Sequence, residues 1–270
     1  MKVLFFDIDG TLTNFNREIP ASVVEGIRKA REKGNLAALC SGRSESQIEA
    51  YILDIGFDAI VSAAGARVSV GGKPVYEHTL DREKYLFCLD QLLEVVPNLC
   101  VQTNECVYVW EQGYERLVQV FSVMFGDPRV PEEVIGTMKR IPDLRKIEKP
   151  QKIFYHQSPI DVEETQKRIG DYFLDMEMSF GKSDPYSGEI TTRGIEKSTG
   201  MEQLMRHFGL SAKDSVAFGD GPNDLDMMQY AGLSICMGGG REETKKRADY
   251  VTADVDDDGI YRALEHFRLI

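Results

Sequence analysis

The chain lacks any apolar run near the roughly 18 residues that a helix needs to cross a bilayer. The apolar stretch Val3–Phe6 behind a single Lys is too short for a signal peptide. Cysteine is sparse: Cys40, Cys88, Cys100, Cys106 and Cys236 show no CxxC spacing, which argues against a zinc site. An odd, scattered set without an export signal predicts reduced thiols and a cytoplasmic location. A basic excess is also missing. With 44 acidic against 32 basic side chains the formal charge is -12, a field that disfavours nucleic acid and anionic membranes as partners. A small anionic substrate stays open, provided that the site brings its own positive charge. No repeat or low-complexity stretch is present, and the oligomeric state cannot be read.

What is present reads as two cores, because 270 residues is long for one. Val3 to Phe6 is a continuous apolar run, the pattern of a strand buried on both faces. An amphipathic segment from about Ser22 to Lys33 follows, closed by Gly34. Leu36 to Cys40 and Ala59 to Ser62 are further buried runs, with Ile48, Tyr51, Ile52 and Ile55 at helical spacing between them. Alternating strand and helix predicts an α/β fold with a doubly wound parallel sheet. Arg67 to Tyr76 alternates around Gly71-Gly72, as a β-hairpin does. From Asp81 to about Lys182 the style changes to helix, strand, helix, strand, helix, strand. Tyr85, Leu89, Leu92 and Val96 mark the first helix, Cys100 to Trp110 a strand, and Lys152 to His156 another. Beyond Glu189 the first style returns, with a helix from about Lys197 to Phe208, strands at 215–218 and 233–237, and helices near 242–248 and 260–267. The expected architecture is a core built from residues 1–81 and 188–270, with an α+β cap inserted at 82–187.

Ligands of an open parallel sheet bind at the carboxyl ends of its strands. The first strand ends in Asp7-Ile8-Asp9-Gly10-Thr11, the second in Ser41-Gly42-Arg43, and a later one in Gly219-Asp220-Gly221-Pro222-Asn223-Asp224. One sheet edge would thus gather Asp7, Asp9, Asp220 and Asp224. Clustered carboxylates repel and resist desolvation, so a cation must neutralise them. All-oxygen ligands suit a hard ion, and few carboxylates with a phosphate suit magnesium better than calcium. A lone Asp-x-Asp is usually a turn or helix cap. Its place directly behind an apolar strand, with a second acidic loop behind another, favours chemistry.

These motifs resemble those of haloacid dehalogenase-superfamily phosphatases, and the layout is similar to the Cof-type branch with an inserted cap. The resemblance spans nearly the whole chain through Asp7 to Thr11, Ser41 to Arg43, Lys197, and Gly219 to Asp224. It implies a Rossmann-like core and a Mg²⁺-dependent phosphatase acting on a small phosphorylated metabolite, such as a sugar phosphate or related phosphomonoester. Asp7 would be the nucleophile that forms an aspartyl-phosphate. Asp9 would be the general acid, then the base that activates water. Ser41 and Gly42 would hold the phosphoryl oxygens, and Lys197 would pair with nucleophile and phosphate. The metal would take Asp7, Asp220 and the backbone carbonyl of Asp9. Asn223 and Asp224 would complete the loop around phosphate and metal, Asp224 through water.

Other residues carry weaker signals. Arg43 reads equally as an anion-steering group or an ion-pair partner, and Thr11 as a residue that satisfies the loop backbone. Gly238-Gly239-Gly240 lacks the Lys-Ser/Thr of a P-loop and reads as a flexible turn. His156, His207 and Trp110 read as packed or surface residues. Two stretches depart from the family pattern: Ala64-Gly65-Ala66 stands where relatives carry Asn-Gly-Ala, and Met237 to Gly240 where they carry Met-Gly-Asn-Ala. The alternatives are a phosphosugar mutase on the same scaffold, a receiver-like phospho-acceptor domain, and an inactive binding protein.

Overall fold

Val3-Leu4-Phe5-Phe6 is apolar at every position, and a strand sends alternate side chains to opposite faces. Burying all of them therefore requires cover on both sides. The computed structural model has that cover, and it describes residues 1–14, 16–125, 135–178 and 184–270. The chain divides into two compact units, residues 1–77 with 195–270, and residues 78–194.

The first unit is an eight-stranded sheet. Its strands are β1 (Val3–Phe6), β2 (Leu36–Cys40), β3 (Ala59–Ser62), β4 (Arg67–Val70) and β5 (Lys73–Glu77). Three strands from late in the chain, numbered after the six of the second unit, complete it: β12 (Ser215–Gly219), β13 (Leu233–Cys236) and β14 (Tyr250–Val251). The order is β14-β13-β12-β1-β2-β3-β4-β5. All neighbours are parallel except the β3–β4 and β4–β5 pairs, where the predicted hairpin turns at Gly71-Gly72.

Both faces are helix-covered, as the sequence predicts. Leu4 and Phe6 join Val23 and Ile27 of helix Ala21–Glu32, and Ile260 and Leu264 of helix Gly259–His266. Val3 and Phe5 join Met201, Leu204 and Met205 of helix Lys197–His207 and Met227 of helix Leu225–Tyr230. Each such fully buried large side chain contributes about 1.5–3 kcal/mol. The strand order reverses between β1 and β12, because the chain runs from β1 outward to β5 and returns on the other side of β1. Crevices that bind ligands form at such reversals.

The second unit is a six-stranded sheet ordered β10-β11-β9-β6-β7-β8. These are β6 (Cys100–Gln102), β7 (Val107–Trp110), β8 (Lys139–Ile141), β9 (Lys152–Tyr155), β10 (Phe173–Glu177) and β11 (Gly188–Thr192). Helices Arg82–Leu92 and Val162–Ile169 bring Leu89 and Ile169 to one face, against Val101, Ile153 and Tyr155. Helix Tyr114–Phe125 brings Leu117 and Phe121 to the other, against Cys100, Val109 and Phe154. Among the described residues no helix is long and apolar enough to cross a membrane.

Several local expectations change. The stretch Cys100 to Trp110 is two antiparallel strands, because Thr103 Oγ1 closes a turn by accepting from Glu105 N and Cys106 N. Val96 is buried but lies past the helix whose face it was expected to share. Strand Gly188–Thr192, beyond the expected boundary at 187, pairs antiparallel with β9 and β10 in the second sheet. Lys182, expected near the last cap element, lies outside the described residues.

Candidate active site

The peptide after β1 stays in register with its neighbour, since Asp7 N donates to Phe218 O at 3.1 Å. The chain then turns tightly. Ile8 O accepts from the backbone N of Thr11, Leu12 and Thr13, and from Thr13 Oγ1 at 3.2 Å. The hydroxyl that satisfies this loop is therefore that of Thr13. Thr11 Oγ1, expected in that role, is buried with no hydrogen-bond partner among the described residues. Gly10 makes the turn possible at φ 77°, and a Cβ there would lie 2.5 Å from Asp220 Oδ2. The two acidic loops touch at that point.

Behind β12, Asp224 folds back on its own loop. Its Oδ2 accepts from Asp220 N at 2.9 Å and from Gly221 N at 3.1 Å. Its Oδ1 accepts from Lys197 Nζ at 2.6 Å, and the same ammonium donates to Asp7 Oδ1 at 2.6 Å. Lys197 is 3% exposed, Asp7 5% and Asp224 0%. One buried cation thus sits between carboxylates drawn from both ends of the polypeptide.

Electrostatics in this cluster are unbalanced. Burial, reinforced by the negative charge of Asp224, pushes Asp7 up to about 7 despite Lys197. Burial and the charges of Asp7 and Asp224 push Asp220 up to about 8. Burial works against the Lys197 charge, but Asp224 and Asp7 overcome it and raise the group well above its ordinary value. One lysine charge does not balance three carboxylates.

Asp7, Asp220 and Asp224 each offer a carboxylate oxygen, all within 4.8 Å of one another. Three oxygen donors with unrelieved negative charge fit a hard divalent cation, not a soft one. Both oxygens of Asp224 are already engaged, which favours Asp7 and Asp220 as direct ligands. The Asp9 carboxylate stays outside this cluster. It is mostly exposed and accepts from Arg43 Nη2 at 2.8 and 2.9 Å. Of the two readings of Arg43, the ion pair is the one seen.

The remaining expected residues line the neighbouring loops. Ser41 is buried, its N donates to Val61 O at 2.9 Å, and its Oγ accepts from Arg43 N at 3.2 Å. Gly42 follows in the same loop, and Asn223 is exposed in the turn before Asp224. The loop after β3 holds the Ser41 loop through two hydrogen bonds, Ala63 N to Arg43 O at 2.7 Å and Ala64 N to Ser41 O at 3.0 Å. Those bonds require left-handed backbone at Ala63 (φ 51°) and Ala64 (φ 53°), at a cost of about 1–2 kcal/mol per non-glycine residue.

The start of helix Lys197–His207 is brought in by close backbone approach. A Cβ on Gly65 would lie 1.8 Å from Glu196 O, and one on Gly200 would lie 2.9 Å from Gly65 Cα. Asp226, not anticipated from sequence, steadies the same helix start by accepting from Ser198 N at 2.6 Å. No spacing signalled it. Gly238 to Gly240 pack tightly, so they are not a loose turn: a Cβ on Gly240 would lie 2.8 Å from Asp220 O, and one on Gly238 2.6 Å from Asp254 N. In the second unit, His156 packs edge-on against Phe121 and Phe154, and Trp110 Nε1 donates to Pro142 O.

This geometry defines a class: a cation-demanding carboxylate cluster with one lysine at the reversal point of a doubly wound sheet. The sequence pattern of the haloacid dehalogenase-like hydrolases matches residues 4–264, and the chain belongs to that family. It is 28% identical to a phosphoglycolate phosphatase of Methanosarcina acetivorans, over 98% of this chain and 95% of that one. It is 25% identical to the 5-amino-6-(5-phospho-D-ribitylamino)uracil phosphatase YwtE of Bacillus subtilis, over 96% of each. A solved subclass IIB sugar phosphatase of the superfamily superposes with a TM-score of 0.79 and 26% identity, over 100% of both chains.

Proposed function

We propose that the chain is a Mg²⁺-dependent phosphatase that hydrolyses small phosphorylated metabolites, sugar phosphates or related phosphomonoesters, through an aspartyl-phosphate on Asp7. The observation that carries this reading is the bridge from Lys197 Nζ to Asp7 and Asp224 within reach of Asp220. An anionic nucleophile meets an anionic phosphate only where the site supplies positive charge. Lys197 supplies one part. A magnesium ion held by Asp7, Asp220 and the Asp9 carbonyl, with Asp224 acting through water, would supply the rest as a Lewis acid on phosphoryl oxygen.

In this reading Asp7 attacks phosphorus in line, and Asp9 gives its proton to the leaving alcohol. Asp9 then takes a proton from the water that cleaves the intermediate. Splitting hydrolysis in this way replaces one hard step with two easier ones. Ser41, Gly42, Asn223 and Lys197 hold the phosphoryl oxygens. The inserted unit, residues 78–194, contains none of these residues. The net charge of -12 supports a small metabolite over nucleic acid or an anionic membrane as partner. Five unpaired cysteines support a reducing, cytoplasmic setting.

The deciding experiment is a phosphate-release screen over many metabolites, with and without Mg²⁺, and with Asp7→Asn as control. Metal-dependent release that the variant lacks is expected. Interconversion of sugar phosphates faster than phosphate release would instead indicate a mutase.

A further inference from the structure

Two-thirds of the Asp9 side-chain surface (67%) is exposed, so packing does not fix its direction. Arg43 does. Its Nη2 donates to both Asp9 oxygens, at 2.8 and 2.9 Å. The guanidinium is itself held, because Nη1 donates to Glu49 Oε2, and the other Glu49 oxygen accepts from Arg17 Nη2. The Arg43 backbone is pinned on both sides: its N donates to Ser41 Oγ and its carbonyl accepts from Ala63 N. An isolated exposed ion pair is worth about 0–1 kcal/mol. A chain of charges on a fixed backbone contributes orientation more than stability.

We infer that Arg43 is a positioning residue that holds the Asp9 carboxylate in place for cleavage of the aspartyl-phosphate. The inference rests on the proposed roles of Asp7 and Asp9. In the first half-reaction an Asp7 oxygen bonds to phosphorus as the bond to the alcohol oxygen breaks, and Asp9 passes its proton to that oxygen. Asp9 is then a carboxylate. Water next attacks phosphorus and gives its proton to Asp9, and the bond from Asp7 to phosphorus breaks to release phosphate. Arginine carries donors only, so its two-pronged grip suits the carboxylate that exists between these steps. Glu49 and Arg17 keep that grip aimed. A misplacement of about 1 Å at a reacting group costs on the order of 10²-fold in rate.

The test follows nitrophenolate release from p-nitrophenyl phosphate with Mg²⁺ in rapid mixing, because this leaving group departs without a proton. Arg43→Ala is expected to release close to one nitrophenolate per folded enzyme at near the unsubstituted rate. It then settles to a steady rate about 10–100-fold below the unsubstituted enzyme, and acid-quenched protein carries phosphate on Asp7. Arg43→Lys restores part of the steady rate. The burst counts working sites, so a misfolded variant is recognised by a small burst. A steady rate left unchanged, or an equal loss in burst rate and steady rate, overturns the assignment. If neither the unsubstituted enzyme nor Asp9→Asn ever carries phosphate on Asp7, the aspartyl-phosphate reading itself falls, and this inference with it.

Discussion

Lys197 Nζ lies 2.6 Å from Asp7 Oδ1, although 190 positions separate the two residues in the chain. Both are buried, so neither charge has water as a fallback. Removing one partner of such a pair strands the other at a cost of about 3–5 kcal/mol. Lys197→Met therefore leaves Asp7 and Asp224 facing each other without the ammonium that bridges them. Turnover is expected to fall by about 10²–10³-fold, the scale seen when a charge-stabilising donor is removed. Steady-state kinetics beside thermal unfolding of the same variant check this.

Asp220 is pushed up to about 8 by burial and by the Asp7 and Asp224 charges. A divalent cation relieves that repulsion, so Mg²⁺ should raise the unfolding temperature of the unsubstituted protein. Asp220→Asn removes one ligand and one repelling charge together. The variant is expected to be at least as stable without metal, and to lose most of the Mg²⁺-dependent shift. Calorimetric titration with Mg²⁺ reads this without any substrate.

Gly200 faces Val61 and Gly65 so closely that a Cβ would lie 2.4 Å from Val61 Cγ1. Gly200→Ala must push helix Lys197–His207 away from β3. Overpacking of this kind costs about 1–3 kcal/mol, and the displaced Lys197 ammonium should lower kcat more than it alters KM. A lowered unfolding temperature with unchanged kcat would show that the helix start absorbs the strain.

Asp175 in the second unit is raised from 3.8 to about 7, chiefly by burial, with Glu189 adding to it and the hydrogen bond from Tyr155 opposing it. A carboxyl raised in the folded state binds its proton more tightly there than when unfolded. Its contribution to stability is complete below pH 3.8 and is lost as pH rises through about 7. The scale of this contribution is about 4 kcal/mol. Asp175→Asn should flatten this part of the stability profile. The gap between variant and unsubstituted protein should widen in the variant's favour from pH 5 to pH 8, as denaturant titrations at several pH values would show.

The parts of the site that could be read from sequence are those in which one short segment carries both a strand and its chemistry. Val3–Phe6 is too apolar to be anything but a two-sided buried strand, and Asp7 and Asp9 follow it directly. Phe218 and Asp220 repeat the arrangement. Contacts made across space left no such mark. Nothing in the spacing of Asp9, Arg43, Glu49 and Arg17 announces an ion-pair chain, since charged residues on loops are ordinarily solvated. Ala63 and Ala64 are poor choices for left-handed backbone by local preference, and only the hydrogen bonds to Arg43 and Ser41 explain them. Thr103 hid a strand break inside an alternating stretch, because its hydroxyl replaces the glycine that a tight turn usually advertises.

The central strand β1 pairs on one side with β2 and on the other with β12, whose residues are made some two hundred positions later. A ribosome therefore releases Asp7 long before the lysine that pairs with it. Through synthesis of the inserted unit the nascent chain holds Asp7 without Lys197, Asp220 or Asp224. In the reading proposed above, phosphoryl transfer to Asp7 therefore waits until residues 195–270 have been made and β12 has paired beside β1.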